Sequence, residues 1–446
     1  MNTADPKDVT YRRVIAIALP VVLSNATVPL QGAVDTAVIG NLGSEVYLAA
    51  VTLGAASISM LLAVFNFLQF GTAALGAQAL GAGDHRRVIN VLARGLIIAG
   101  TLGLLLIAVQ WWLLPAIMLI FEASAEAESL ALLYLSIRIW AAPAELGVFA
   151  LGGWFSGQEQ TRRLFELQLV TSCSNIVLNL FFVLVLGMDV DGVALGTLIS
   201  AWLGFGYGLW RARSRIRHLM PGWRPERARL LNPEELGRLM RLNRDIFIRT
   251  MLLVASFTYM TRLGSQQGDV VLAANGILYQ IYHVGVYGLD GFAIAAEALV
   301  GQAVGARNRE ALRRATYVST VSAIGLSLIF AVLIMALQSP LIALFTNVAE
   351  VRETAAVYYF WAAFFPIVGV LAFQMDGVFV GATESGPMRN AMIVSVALYF
   401  TVGGWMASTL GNHGVWAGIW VFLVLRGLTL IVQYPRLERR VAPQEG

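Results

Sequence analysis

Lysine and cysteine each occur once in the 446 residues, and charged residues make up only 13% of the chain. Each scarcity closes off a class of function. The one lysine, Lys7, lies in the N-terminal tail, so there is no GxxxxGK[ST] phosphate loop and no ATP hydrolysis by that motif. The one cysteine, Cys173, sits inside an apolar stretch; it supports neither a disulfide framework nor a paired-cysteine metal site and reads as a small core residue. The four histidines, His85, His218, His283 and His413, form no HExxH, and no GxSxG elbow is present. Gly288-Leu289-Asp290-Gly291 fails as an intramembrane protease motif, because leucine stands where a glycine must precede the aspartate. What the chain has in surplus is apolar side chain. Hydrophobic residues make up 58% of it, and the mean hydropathy is +0.70. A globular domain carries about a quarter charged residues, so no soluble core could hide this surplus. The composition predicts an integral membrane protein and not a soluble enzyme.

A membrane span needs about 20 mostly apolar residues. By that measure the first half holds spans near 13–38, 46–80, 92–118, 128–150, 165–187 and 192–210. The second half holds spans near 240–262, 270–303, 315–337, 352–381, 391–410 and 415–433. The first run follows Arg12 and Arg13, contains Pro20 and Pro29 and lacks a small-residue cleavage site, so it is expected to be retained as a helix rather than removed as a signal peptide. Of the 31 cationic residues, 26 fall in alternate connecting segments, while the short loops between them carry none. Because cytoplasmic loops retain positive charge, both termini are expected in the cytoplasm of a bacterial inner membrane. Ten arginines between Arg211 and Arg244, interrupted by Pro221, Pro225 and Pro233, mark a basic linker facing anionic lipid rather than nucleic acid. The expected organisation is a six-helix lobe over 1–210, a linker over 211–239 and a second six-helix lobe over 240–446.

The two halves resemble each other. Leu42-Gly43-Ser44 recurs as Leu263-Gly264-Ser265; Gln78-Ala79 with Gly81-Ala82 recurs as Gln302-Ala303 with Gly305-Ala306, shifted by 224. Gly153, Phe155 and Gly157 return as Gly377, Phe379 and Gly381 at the same shift of 224, and Gly192, Val193 and Gly196 return as Gly414, Val415 and Gly418 at 222. Two repeats of six spans share one topology, which implies a parallel pseudo-twofold relation. The corners Gly81-Ala82-Gly83-Asp84 and Gly305-Ala306-Arg307-Asn308 are expected to stop their helices.

Ionisable residues inside spans are the candidate functional groups, since a charge at the bilayer centre costs about 2.5–3.5 kcal/mol on insertion scales. Asp35 is foremost. It lies in the outer part of the first span, beyond Pro20 and Pro29, which remove backbone hydrogen bonds and permit bending. Asp290 and Glu297 share one helix face at a spacing of seven, and Asp376 occupies the tenth span; with Gln280 and His283 they are expected to line the second lobe. His283 could alternatively suggest an acyl-transfer base, though a hydrogen-bonded histidine in helix packing is the simpler reading. Arg138 and Glu145 are expected to compensate each other, and Asp245 and Arg249 have the i, i+4 spacing of a helical ion pair. Asn175 and Asn179 share that spacing, either as polar glue between helices or as first-lobe ligands.

Val34-Asp35-Thr36-Ala37-Val38-Ile39-Gly40, Leu242-Asn243-Arg244-Asp245-Ile246, Leu289-Asp290-Gly291-Phe292-Ala293, Met375-Asp376-Gly377-Val378-Phe379-Val380-Gly381 and Met388-Arg389-Asn390 together resemble the multidrug and toxic compound extrusion (MATE) family, in its DinF-like branch. The likeness covers nearly the whole chain. It implies an all-α fold of twelve helices in two lobes, and an antiporter that exports amphipathic, often cationic compounds against an inward H⁺ or Na⁺ gradient. By the same resemblance Asp35 is the coupling carboxylate, Pro20 the bend point, and Asn175, Asn179 and Thr197 the polar cluster around it. Where the family often has aspartate this chain has Asn179, which favours H⁺ over Na⁺. No cofactor or metal is implied, the partners are drug-like molecules and lipid, and a monomer is expected. The rival readings are a lipid-linked sugar flippase of the same superfamily and an intramembrane enzyme.

Overall fold

The computed structural model describes residues 5–40, 45–119, 124–230 and 232–441. No strand occurs among them. The long helices are α1 (Tyr11–Gly40), α2 (Val46–Gly81), α3 (His85–Met118), α4 (Ala125–Gly157), α5 (Thr161–Val185) and α6 (Val190–Leu219), then α7 (Pro233–Ser265), α8 (Asp269–Gly305), α9 (Arg309–Ala336), α10 (Ala349–Gly381), α11 (Ser385–Leu410) and α12 (Asn412–Val441). Eleven of them, α2 to α12, are long and apolar enough to cross a membrane; α1, at 30 residues, covers the first predicted span. Each predicted span falls on one of these helices. The ends differ chiefly where polar residues continue a helix past the apolar run, as at Arg211–Leu219 and Pro233–Arg244.

Three helices change pitch along their length. α2 tightens to a 3₁₀ turn at Val64–Asn66, α4 does so at Ile139–Ala141 just before Pro143, and α5 ends in a π turn at Phe181–Val185. Such interruptions relieve backbone groups that proline or local packing leaves unsatisfied. α1 is a single helix from Tyr11 to Gly40, Pro20 included.

Two compact units emerge. One holds Leu23–Gly76 and Asp84–Leu239; its core is built on α2, α4 and α6 around Leu135, Leu146 and Val193. The other holds Met1–Val22, Ala77–Gly83 and Met240–Gly446, with α8, α10, α11 and α12 closing on Tyr282, Phe365, Tyr399 and Trp416. The chain therefore enters the second unit three times, and α1 contributes to both.

The shift of 224 reappears as geometry. Left-handed backbone occurs at Gly83 and Arg307, at Glu159 and Thr383, and at Gly187 and Gly411, each pair 224 apart. Asp84 caps α3 by accepting from the Arg87 amide, and Asn308 caps α9 by accepting from the Ala311 amide, again 224 apart. A β-carbon on Gly153 would stand 2.0 Å from the carbonyl oxygen of Gln69, and one on Gly377 would stand 2.3 Å from that of Ala293. Gly157 and Ala73 repeat the arrangement, as do Gly381 and Glu297. The helices end at Gly81 and Gly305, as the corners predict, and these glycines carry close contacts as well. Their α-carbons press on the carbonyls of Gln302 and Gln78 respectively, each leaving an added β-carbon 2.0 Å from oxygen. Close approach is what these two glycines provide, and two residues past each helix end the backbone turns left-handed at Gly83 and Arg307. Thr383, a β-branched residue at φ 58°, accepts a 3.1 Å hydrogen bond from the Gln78 amide at its hydroxyl. The repeated glycine motif at 222 differs from the rest because α6 starts at Val190, three residues after the left-handed Gly187, whereas α12 starts at Asn412, directly after Gly411. Leu42, Gly43 and Ser44 lie outside the described residues.

Candidate functional site

In the first unit, α5 and α6 pack along their length and bury a chain of neutral polar groups. Asn175 donates from its amide to the Thr197 hydroxyl at 2.9 Å, Thr197 donates in turn to the Val193 carbonyl at 2.8 Å, and Asn179 donates to the Asn175 oxygen at 3.4 Å. Asn175 and Asn179 are wholly buried and Thr197 nearly so. Gly196 makes room for the cluster, since a β-carbon there would meet the Asn179 side-chain oxygen at 2.0 Å. The three first-lobe residues predicted from sequence are thus brought together. Asp35 lies on α1, and its side chain is outside the described residues. Pro20 lies two residues before Val22, where the α1 segment belonging to the second unit ends. Elsewhere in the first unit, Arg138 donates to Glu145 at 2.6 Å, the predicted compensation.

The second unit gathers charge. Gly377 and Gly381 let α10 lie directly on the α8 backbone at Ala293 and Glu297. That contact sets Asp376 on α10 beside the α8 face carrying Asp290 and Glu297. One Asp376 oxygen accepts from two guanidiniums, Arg249 of α7 and Arg426 of α12. Arg249 also lies within electrostatic reach of Asp290 and Glu297, and Arg426 within reach of Asp290. Glu297, Asp376 and Arg426 are buried, with Arg426 only 2% exposed, and Asp290 is half-buried. The cluster amounts to two fixed cations and three carboxylates, two of them buried, a composition tolerated only when the members satisfy one another.

Arg249 overturns one expectation. It pairs with Asp376 and not with Asp245. The carboxylate of Asp245 accepts instead from Arg389 at 2.9 Å, Arg244 at 3.0 Å and the Ser385 hydroxyl at 3.0 Å. The i, i+4 spacing allowed the helical pair, but Asp376 offers Arg249 a buried partner and Arg389 offers Asp245 one near the helix end. Arg426 escaped the sequence reading altogether. Its signal was present, a guanidinium within the apolar run 415–433, and it carries the same insertion cost that singled out the carboxylates. His283 bonds through Nδ1 to the Tyr279 carbonyl at 2.8 Å and stacks against Tyr282, so its ring is committed within α8. Gln280 is exposed, apart from the charge cluster.

The sequence profile of the MatE family matches residues 20–181 and again 246–406. The chain belongs to this family. As a MATE protein it is a multi-pass membrane transporter and not an enzyme. The DNA damage-inducible protein F of Escherichia coli strain K12 is 36% identical over 420 residues, spanning 94% of this chain and 91% of that one, which agrees with the DinF-like resemblance. A probable multidrug resistance protein NorM of Deinococcus radiodurans is 26% identical, covering 95% of this chain and 94% of its own length. Among solved structures, an outward-facing multidrug resistance MATE family transporter superposes with a TM-score of 0.84 at 22% identity, covering 98% of this chain and 96% of that one. The Vibrio cholerae MATE transporter VcmN in its bent form superposes with a TM-score of 0.86 at 18% identity, covering 98% of each chain. The two structures establish the fold. With the family in hand, the MATE transporter's two buried polar groups stand in contrast: a neutral amide and hydroxyl chain in one unit, a charged cluster in the other.

Proposed function

We propose that this MATE transporter exports amphipathic, often cationic drug-like compounds in exchange for protons, with Asp35 as the proton-carrying group. The observation that supports it most is the neutrality of the Asn175–Asn179–Thr197 cluster. An alkali cation taken out of water needs oxygen ligands to replace its hydration, and anionic ones hold it more strongly than neutral dipoles. Amides and a hydroxyl bonded to one another supply dipoles but no formal charge. A proton needs only one carboxylate, and Asp35 is the acid that the first span supplies. Outward-facing Asp35 takes up a proton, α1 bends near Pro20, and substrate is released; the inward-facing state returns the proton to the cytoplasm. The names of the relatives, multidrug resistance proteins among them, support the substrate class.

The test is reconstitution in liposomes with H⁺ and Na⁺ gradients imposed separately and a panel of fluorescent cationic amphiphiles as cargo. Accumulation driven by the H⁺ gradient alone, and abolished by Asp35→Asn, is the expected result. Accumulation driven only by Na⁺, or unchanged in Asp35→Asn, would overturn the reading.

A further inference from the structure

We propose that Glu297 is a second proton-binding site, buried in the second unit, and that Arg249 becomes its counter-ion when the proton leaves.

Arg249 and Arg426 supply two positive charges; Asp290, Glu297 and Asp376, if all ionised, supply three negative ones. The surplus negative charge would sit on a cluster in which Glu297, Asp376 and Arg426 are buried, where an unpaired ion is far costlier than a neutral acid. One proton removes the imbalance. Its place follows from the partners. Asp376 accepts from both guanidiniums and has the strongest claim to its charge. Asp290 is half-buried and feels both arginines. Glu297 is 3% exposed, feels Arg249 alone, and its Oε1 has no hydrogen-bond donor among the described residues.

The neighbouring elements supply nothing to replace the proton. Besides Asp290, α8 brings Tyr287 toward the cluster, facing Asp290. α10 contributes Asp376, and α12 contributes Arg426. α9 has no Asp, Glu, Lys, Arg or His between Arg314 and its end at Ala336, and α1 has none between Arg13 and Val22, the segment whose Ala18 and Val22 lie against Gly291. On α7, Asp245 is committed to Arg389, Arg244 and Ser385. Arg249 remains, and it too has an atom to spare: its Nε is buried without an acceptor. Asp376 retains Arg426 if Arg249 turns away. A guanidinium shared between Asp376 and an ionised Glu297 gives the cluster two arrangements, one for each protonation state.

The full-length protein in liposomes tests this by infrared difference spectroscopy during a pH titration, reading the carbonyl band of protonated carboxylic acid. The expected result is a titrating band that is lost in Glu297→Gln and kept in Asp35→Asn and Asp290→Asn. In Arg249→Gln the band should persist to pH values at which the unsubstituted protein has lost it. Should Glu297→Gln not fold, incorporation of side-chain ¹³C-glutamate into the unsubstituted protein should shift the band, where ¹³C-aspartate should not. Titrating bands that are all unchanged in Glu297→Gln, that shift only with labelled aspartate and never with labelled glutamate, or none of which responds to Arg249→Gln, would overturn the proposal. Its part in transport rests on the antiport reading above. The band does not: loss of that reading in the Asp35→Asn transport assay leaves the Glu297 result standing, and the reverse also holds.

Discussion

The carbonyl oxygen of Gln78 lies so close to the α-carbon of Gly305 that a methyl group there would stand 2.0 Å from it. Both partners are backbone within helices, so neither has a flexible side chain to yield. Gly305→Ala is therefore expected to destabilise the second unit by about 1–3 kcal/mol or more, the range for forced overpacking, and Gly81→Ala, against Gln302, by a similar amount. Gly325, in the middle of α9, faces open space. Gly325→Ala should stabilise by about 0.5–1 kcal/mol through helix propensity alone. Thermal unfolding of the purified variants in detergent checks the opposite signs.

Asp376 holds two arginines with one carboxylate oxygen, and the members are not equivalent on removal. Arg426→Met leaves Asp376 paired with Arg249, whereas Asp376→Asn strips both guanidiniums of their direct acidic partner. Breaking a buried ion pair costs about 3–5 kcal/mol, so Asp376→Asn should lose at least that much and Arg426→Met less. The double variant should be more stable than the sum of the single losses predicts, a coupling readable in a double-mutant cycle.

Position 179 offers a test of ion choice. Asn179→Asp places a carboxylate beside Asn175 and Thr197 and removes one amide donor. The variant is expected to gain Na⁺-driven accumulation in proteoliposomes that the unsubstituted protein lacks. Identical Na⁺ responses in the two proteins would show that charge in this cluster does not set the ion.

Arg94 is buried on α3 at 5% exposure and holds the segment before α7, donating to the Leu230 carbonyl at 3.0 Å, the Arg229 carbonyl at 2.7 Å and Glu235 at 3.2 Å. Bonds from a charged donor contribute about 1.5–3 kcal/mol each. Losing even one raises the open population about tenfold. Trypsin should cut after Arg229 at least about tenfold faster in Arg94→Ala, with cleavage in the other loops unchanged.

The helices were legible because apolar runs and basic loops reflect the two solvents that a membrane protein meets, and both leave marks in composition. The repeat was legible because tight helix contacts demand glycine at fixed places, as at Gly153 and Gly377. Partner choice inside the lobes was not. Arg249 has Asp245 one turn away in sequence and Asp376 more than a hundred residues away, and only tertiary packing decides between them. Arg138 and Glu145, which lie two turns apart, were read correctly because the local partner is also the one that packing delivers. Arg426 is a different case: buried acids call for a counter-charge, but only the fold shows that α12 supplies it.

The left-handed corners at Gly83, Glu159 and Gly187 and their counterparts at Arg307, Thr383 and Gly411 keep one separation across three turns. The intervening helices have thus traded most of their side chains without gaining or losing a net residue between corners. An inserted residue within such a helix would rotate everything beyond it by about 100° and carry a glycine contact off its carbonyl. The segment between Gly187 and Val190, where the halves differ in length, lies between helices, where such a difference leaves the glycine contacts in place. The two halves of this molecule agree in spacing more closely than in chemistry.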